Sequence, residues 1–321
     1  MDVTINMKID SFQFFNSSAD DPEQAVSFSP DIVHSLHALR TANWLESLLC
    51  ICPIPRTVTL TGTDYNALLD GKISSDQFEK ILDKAAAVVV FHDEAYNCLK
   101  KYYNHATEKV YVIAQGVDIA KHNHDRVTVR AKYGLHLNDV VFLMVSGIRP
   151  VKNICYAVNA FLKIEKYCPD AKLLLVGPAI EDKETQKVIS TAENLAGFSY
   201  LGEKPPQEVR ELMSAADVFL NTSLNEGMPG AELEAMAEGL PLLASRVPGN
   251  SSLVREGENG FLVSPDNPDE LIRSAINLAS DKTLRIKLGN YGRQIIAGSH
   301  SVEQEIDRYE SIFNIVLKKN P

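Results

Sequence analysis

The chain has 321 residues, of which 45% are hydrophobic and 23% are charged, a balance typical of a globular protein with two domains. This composition excludes disordered, collagen-like and low-complexity chains. The net charge of -10 disfavours general binding to nucleic acid, because an acidic surface repels the phosphate backbone.

No segment predicts a membrane span or an exported protein. The longest apolar runs, such as residues 85–91, are far shorter than the roughly 20 residues that a spanning helix needs. Residues 1–30 carry five acidic side chains and one lysine, the opposite of a signal peptide. The five cysteines contain no Cys-x-x-Cys pair, so neither a disulfide framework nor a zinc site is indicated. We therefore expect a cytoplasmic protein.

The first part of the chain alternates between short β-branched runs and amphipathic stretches from residue 31 onward. Residues 1–30 show no clear strand–turn–helix, and the first glycine of the chain is Gly62. Strands are predicted at 31–37, 57–61, 87–91 and 109–113, with helices near 38–50, 74–84 and 93–104. Alternation of buried-type strands with helices implies a parallel sheet covered on both faces.

A second series of elements begins after the polar stretch 120–130. Six strands are predicted, at 140–146, 172–176, 198–201, 218–221, 241–244 and 260–263. Helices are predicted between and after them, at 153–167, 181–196, 206–215, 229–238, 268–280, 282–297 and 301–318. This series predicts a doubly wound α/β domain. We therefore place a first domain at residues 1–125 and a second at residues 126–300.

The segment 225–236 carries the richest motif, because it follows a predicted strand and opens a predicted helix. Gly227 and Gly230 free the backbone to approach a ligand, and Pro229 suits a first helical turn. The helix start can bind an anion, and Glu226 and Glu234 can accept hydrogen bonds from hydroxyl groups. A ligand with both phosphates and hydroxyls, such as a nucleotide sugar, fits this pattern. The alternative is a capped helix whose glutamates face solvent.

A second motif, at 146–153, follows the first strand of the second domain. It lies at the carboxyl end of that strand, where ligands bind in doubly wound sheets. Its two cations, Arg149 and Lys152, can neutralise a diphosphate. The alternative is a solvated loop with incidental charges.

Together these segments resemble the retaining family 4 glycosyltransferases, which have the GT-B fold. The resemblance rests on the loop with Arg149 and Lys152, on the Glu-x7-Glu spacing, and on further segments at 172–178, 201–203, 233–241 and 257–263. The variant segment 248–252 is similar to the glycosyltransferase-1-domain-containing subgroup. Residues 37–42 and 60–64 resemble bacterial selenosugar synthases.

The resemblance implies an α/β protein with two Rossmann-like doubly wound domains facing a cleft, the first shortened at its N-terminus. Residues 301–321 would return to the first domain, as the apolar pattern in 306–316 also suggests. The implied activity is transfer of a sugar, with retention, from a UDP-linked donor to an acceptor that the sequence does not identify. No Asp-x-Asp occurs in the chain, which fits a reaction without a metal or other cofactor. The oligomeric state stays open.

The resemblance also assigns roles to individual residues. Arg149 and Lys152 would bind the diphosphate, Glu226 the hydroxyls of the transferred sugar, and Glu234 the ribose. The base would lie at the loop that contains Lys204. The remaining positions implied to bind the donor are Gly147, Gly227, Met228, Pro229 and Gly230.

In the first domain, His37 matches the histidine that binds the donor sugar and positions the reacting groups in the family. His34, three residues earlier, is the competing candidate, and either histidine could instead be a core residue. Asp64 could orient another residue or, as we favour, cap the following turn. Family members open with a glycine-bearing loop, whereas no glycine precedes Gly62 here. The alternative to an active transferase is therefore a degenerate member that binds a nucleotide sugar or a protein without turnover.

Overall fold

A computed structural model describes residues 3–8, 11–17, 20–69, 71–103, 106–119 and 124–319, with the side chains of 3–8 and 11–16 left out. The chain divides into two compact units. The first is Met1–Gln115 together with Glu303–Pro321, and the second is Gly116–Val302. Each unit is built on its own six-stranded sheet.

The sheet of the first unit has the order β2-β1-β3-β4-β5-β6. From β3 to β6 the strands are parallel and follow one another in chain order, whereas β1 pairs antiparallel with both β2 and β3. The strands are β1 Val3–Lys8, β2 Ser11–Asn16, β3 Ile32–Leu36, β4 Arg56–Thr59, β5 Ala87–Val90 and β6 Val110–Val112.

The expectation that residues 1–30 hold no clear elements was wrong, because β1 and β2 form a hairpin there and a short helix follows. The apolar residues of β1 alternate with polar ones, which is the pattern of an antiparallel strand with one buried face. A parallel strand of this fold would instead show a continuous apolar run followed by a glycine loop, and residues 1–30 contain no glycine. The hairpin instead extends the sheet beside β3.

Five helices of the first unit lie between or before its parallel strands. They are α1 Pro22–Ser27, α2 Ala38–Ile51, α3 Thr63–Leu69, α4 Ser75–Asp83 and α5 Asp93–Tyr102. Strand β5 shows how the sheet is covered, since Val88 and Val90 pack in a cluster with α2 to α5 while Ala87 and Val89 point to the opposite face.

The sheet of the second unit is entirely parallel, in the order β12-β11-β10-β7-β8-β9. All six strands predicted for this part of the chain are present: β7 Val140–Val145, β8 Ala171–Val176, β9 Phe198–Tyr200, β10 Val218–Asn221, β11 Leu242–Ser245 and β12 Gly260–Val263. The strand order reverses between β7 and β10, so this is a doubly wound sheet with its switch point there.

Helices cover both faces of the second sheet. Side chains of β7 alternate between two core clusters, with Phe142 and Met144 in one and Val141 and Leu143 in the other. The helices are α6 Arg126–Lys132, α7 Ile154–Tyr167, α8 Asp182–Ala192, α9 Pro206–Ala215, α10 Gly230–Ala237, α11 Pro248–Leu253, α12 Pro268–Ser280 and α13 Lys282–Ser299. The two sheets and their helices confirm the predicted α/β class with two Rossmann-like units.

The last helix, α14 Val302–Lys319, packs on the first unit. Ile312, Phe313 and Val316 lie in one cluster with residues of β3 and β5. The hydroxyl of Tyr309 is also 2.6 Å from Oγ1 of Thr59 at the end of β4. Apolar packing and one partly buried hydrogen bond therefore hold α14 against the sheet face that carries Ala87 and Val89.

Candidate active site

The candidate site lies where β7 and β10 end, at the switch point of the second sheet. The loops that follow these two strands enclose a cavity of about 160 Å³. Its polar lining includes Ser146, Lys152, Asn221, Ser223 and Glu226, and the start of α10 closes one side with residues 228–231. In a doubly wound sheet this is the place where ligands bind.

Hydrogen bonds to backbone carbonyl groups connect the two loops. Oγ1 of Thr222 donates to the carbonyl oxygens of Lys152, at 3.1 Å, and of Asn153, at 3.2 Å. The amide of Leu224 donates to the carbonyl of Val151 at 2.8 Å. Asn153 adopts a left-handed conformation, with φ of 51°, at the point where the chain turns into α7. Lys152 is therefore held by its own backbone beside the loop that carries Glu226.

Lys152 and Glu226 form an ion pair in this cavity. Nζ of Lys152 is 2.6 Å from Oε1 of Glu226, and the two side chains are 17% and 11% exposed. The hydroxyl of Ser223 donates to the same Oε1 at 2.6 Å, and the amide of Asn221 lies 3.3 Å from it. Three donors thus converge on one carboxylate oxygen, and within the described residues no hydrogen bond reaches Oε2. That oxygen is available to an incoming hydroxyl group.

The segment that opens α11 packs against the backbone of the loop that carries Glu226. A Cβ atom at Gly249 would lie 2.7 Å from the carbonyl oxygen of Glu226, so only glycine permits this approach. Nδ2 of the buried Asn250 donates to the carbonyl of Ser245 at 2.9 Å, and the hydroxyl of Ser245 donates to the carbonyl of Ser223. The segment 248–252, which the sequence showed only as a family variant, therefore packs against the loop that carries Glu226.

Glu232 is a residue that sequence reasoning missed. It lies in the first turn of α10, is fully buried, and neither carboxylate oxygen has a hydrogen-bond partner among the described residues. Burial, and then the charge of Glu226, raise its pKa well above the usual value near 4.5. The side chain of Asn221, whose contact falls short of a hydrogen bond, and then the charge of Lys152 oppose this shift. In the sequence Glu232 looked ordinary, because acids are common at helix starts.

Several predicted donor-binding residues lie outside the cavity lining. Glu234 is half-buried on α10, and burial raises its pKa while the charge of Arg210 opposes the shift. Arg149 is exposed, and it forms no ion pair within the part of the chain that the structure describes. Lys204 is half-buried in the loop after β9, where its charge helps to lower the pKa of Glu208.

The predicted glycines and their neighbours are placed as follows. Met228, Pro229 and Gly230 line the cavity, and Gly227 lies in the same loop directly after Glu226. Gly147 follows β7, and a Cβ atom there would overlap the side chain of Ile180. The structure therefore brings Lys152, Glu226 and the start of α10 together at one cavity.

His37 belongs to the first unit, where it forms the N-cap of α2 with a φ of 80°. Its Nδ1 is 2.5 Å from Oδ1 of the fully buried Asp64, and its Nε2 is 2.8 Å from Oγ1 of Thr63. Asp64 also accepts hydrogen bonds from the amides of Leu39 and Thr61. Asp64 thus caps the turn, as we favoured, and it also orients His37.

His34 is a core residue. Its ring is buried between Oγ1 of Thr57, at 2.8 Å, and Oγ1 of Thr59, at 3.1 Å. Burial lowers its pKa to about 3, so the ring is neutral at physiological pH. Of the two histidines, only His37 is paired with a carboxylate.

The match to a family model defines the class of this protein. Residues 125–295 match the model described as glycosyl transferases group 1. Since that match covers more than half of the 321 residues, the chain belongs to the group 1 glycosyl transferases.

Known proteins of this kind resemble the chain over most of its length. Glycosyltransferase 1 domain-containing protein 1 of Xenopus tropicalis is 27% identical over 83% of this chain and 78% of its own length. The UDP-Gal:alpha-D-GlcNAc-diphosphoundecaprenol alpha-1,3-galactosyltransferase of Escherichia coli is 30% identical over 72% of this chain. N-acetyl-alpha-D-glucosaminyl L-malate synthase of Bacillus anthracis is 28% identical over 68% of it. The matches span only 61% and 54% of these last two proteins.

Solved structures agree on the fold. HepE of Anabaena, in complex with UDP and glucose, superposes with a TM-score of 0.76 at 20% identity, over 91% of this chain and 81% of that one. Sucrose-phosphate synthase of Thermosynechococcus elongatus gives 0.80 at 19% identity, over 93% and 76%. These likenesses confirm the GT-B fold class.

Two kinds of feature are absent from the described residues. None of their helices combines the length and the apolar character that crossing a bilayer requires. They also contain no group of three or more His, Cys, Asp and Glu side chains placed to hold a metal ion.

Proposed function

We propose that this chain transfers a sugar from a UDP-linked donor to an acceptor, with retention and without a metal ion or other cofactor. The observation that carries the proposal is the Lys152–Glu226 pair, which lines a cavity at the switch point of a doubly wound sheet. A cation and a hydroxyl acceptor side by side fit a ligand in which a diphosphate is joined to a sugar. The complexes of Anabaena HepE with UDP and with UDP-glucose support the choice of donor.

In this proposal the two partners separate when the donor binds. Nζ of Lys152 exchanges a carboxylate oxygen for a diphosphate oxygen, and Glu226 accepts a hydrogen bond from a sugar hydroxyl instead. Both groups are mostly buried, so each needs a polar partner in the empty site as well as in the filled one. The ion pair is therefore the resting state of a donor site.

The remaining donor contacts come from residues around this pair. We assign the exposed Arg149 to the diphosphate and the half-buried Glu234 to the ribose. Lys204 lies near the position that we assign to the base, and the backbone of residues 227–230 faces the sugar. As the bond between sugar and diphosphate breaks, negative charge grows on the diphosphate, and fixed cations there lower the barrier.

The first unit contributes His37 to the proposal. The contact of its Nδ1 with Asp64 fixes the orientation of the ring. We assign His37 to the transferred sugar and base the retention of configuration on the resemblance to family 4 enzymes. The five cysteines are all free thiols, which supports a reducing compartment such as the cytoplasm.

The second candidate function is binding of a nucleotide sugar without turnover. It is favoured by the N-terminal hairpin, which pairs with β3 and contains no glycine. The two functions share the donor site and differ in catalysis. Release of UDP from a UDP-sugar, followed over time with the full chain, separates them.

The experiment that tests donor binding is isothermal titration calorimetry of UDP and UDP-sugars with the full chain. Lys152→Ala should weaken UDP binding by about 10- to 100-fold, the loss of a charge-assisted contact of about 1.5–3 kcal/mol. Lys187→Ala is the matched control, since Lys187 is 63% exposed on α8. A folded Lys152→Ala variant with unchanged affinity would remove Lys152 from the site. Wild-type protein that binds no UDP or UDP-sugar would refute both candidate functions.

A further inference from the structure

Glu232 has no place in the donor contacts proposed above, although it directly follows Gly230 and Ala231, which line the cavity. Its side chain is fully buried on α10, and both carboxyl oxygens lack a hydrogen-bond partner among the described residues. An apolar side chain would pack at this position without that cost. Buried polar groups are almost always paired, so an orphaned carboxyl next to a ligand site calls for a functional reason.

The charges around Glu232 come from the candidate site itself. Glu226 and Lys152 are the charged groups that act on it, and Asn221 is its polar neighbour. Helix α10 also packs against α13, but the guanidinium of Arg293 there donates to the carbonyls of Ala237 and Glu238 at the other end of α10. A charge on Glu232 would therefore interact mainly with the Lys152–Glu226 pair.

We propose that Glu232 is a positioning residue of the donor site, held as an uncharged acid so that Lys152 has only one carboxylate, Glu226, to balance. With a single competing carboxylate, Lys152 can exchange Glu226 for a diphosphate. If Glu232 also became charged, a second negative charge would hold Lys152 and repel the diphosphate. This inference rests on the proposed function, because it concerns how the same site binds its donor.

The test is the pH dependence of UDP binding, measured by calorimetry with the full chain between about pH 6.5 and about pH 9.5. Once Glu232 ionises, wild-type protein should lose affinity by about 10- to 100-fold, the effect of two like charges about 6–12 Å apart at an effective dielectric constant near 20. Glu232→Gln, which keeps the shape and cannot ionise, should lose much less affinity than wild-type protein between the two ends of this range. Titration of UDP itself is common to both proteins and cancels in the comparison.

The possible results separate the two proposals. If wild-type protein binds UDP and its pH dependence equals that of Glu232→Gln, with or without an alkaline loss, Glu232 is only structural and this inference is overturned while donor binding stands. If wild-type protein binds no UDP at any pH, the proposed function fails and the inference fails with it. Glu232→Leu serves as a second uncharged variant should Glu232→Gln not fold, and it should show the same weak pH dependence.

Discussion

Replacing Glu232 by leucine should stabilise the second unit, and the gain should increase with pH. The buried carboxyl of Glu232 has no hydrogen-bond partner among the described residues. Leaving a buried polar group unpaired costs about 1–3 kcal/mol, which an apolar side chain of similar size avoids. Glu232→Leu should therefore be more stable than wild-type protein even where the acid is uncharged in both folded and unfolded states.

The pH dependence follows from the raised pKa of Glu232. In the unfolded chain the carboxyl loses its proton near its usual value of 4.5, whereas in the folded protein burial keeps the proton bound well above that pH. Between these two values the folded state binds one proton more, so the free energy of unfolding falls as pH rises. The slope approaches about 1.4 kcal/mol per pH unit, or about 3–6 °C in the melting temperature of a unit of this size. Glu232→Leu lacks this slope.

The single tryptophan of the chain makes the measurement selective. Trp44 is buried in the first unit, so its fluorescence follows unfolding of that unit, while far-UV circular dichroism follows both. Urea unfolding at a series of pH values above about 4.5 should show the difference between wild type and Glu232→Leu growing in the dichroism but not in the fluorescence. Glu193→Leu, at an exposed glutamate of the second unit, is the matched control. A difference that stays constant with pH would show that Glu232 is charged or paired in the folded protein.

Two further substitutions test the architecture of the site. Gly249→Ala would place a Cβ atom 2.6–2.8 Å from backbone atoms of Glu226 and the next residue, and should cost about 1–3 kcal/mol of stability in urea unfolding. Gly298→Ala, where a Cβ atom meets nothing within 4 Å, should cost nothing, and equal effects of the two would contradict the close approach. In calorimetry, Glu226→Gln should weaken UDP-sugar binding by about 1–3 kcal/mol. It should not weaken the binding of free UDP, because Lys152 loses a competing partner in this variant. Glu234→Gln should weaken the binding of UDP-sugar and of free UDP alike. Equal losses of affinity for these two ligands in Glu226→Gln would refute the assignment of Glu226 to the sugar.

The fold of the second unit could be predicted from the sequence because its strands are buried on both faces. Runs such as Val140–Val145 are apolar throughout, and each is followed by an amphipathic helix. The hydrophobic period and the length of each segment therefore indicate the same type of element. The N-terminal hairpin could not be predicted in the same way. Its strands pair locally and antiparallel, and nothing in residues 1–30 shows that they continue a sheet whose parallel strands begin at residue 32.

The sequence motifs pointed to the two loops that line the cavity, but the pairing of Lys152 with Glu226 could not be predicted. Arg149 and Lys152 are equivalent in the sequence, as two cations in one loop. The structure distinguishes them, because Thr222 holds the carbonyl of Lys152 and so places its side chain against Glu226, while Arg149 is exposed. Which cation meets which carboxylate depends on the distance between two loops that are about 70 residues apart in the chain.

Gly249 and Glu232 show why the support of a site is harder to predict than its ligands. Each lies at a helix start, where glycine and glutamate are both common, so neither residue type is unusual for its local structure. Their importance comes from what they approach in space: Gly249 meets the backbone of Glu226, and Glu232 lies behind the pair of Glu226 and Lys152. Both observations therefore involve Glu226. A change at Gly249 or at Glu232 should first affect the carboxylate of Glu226.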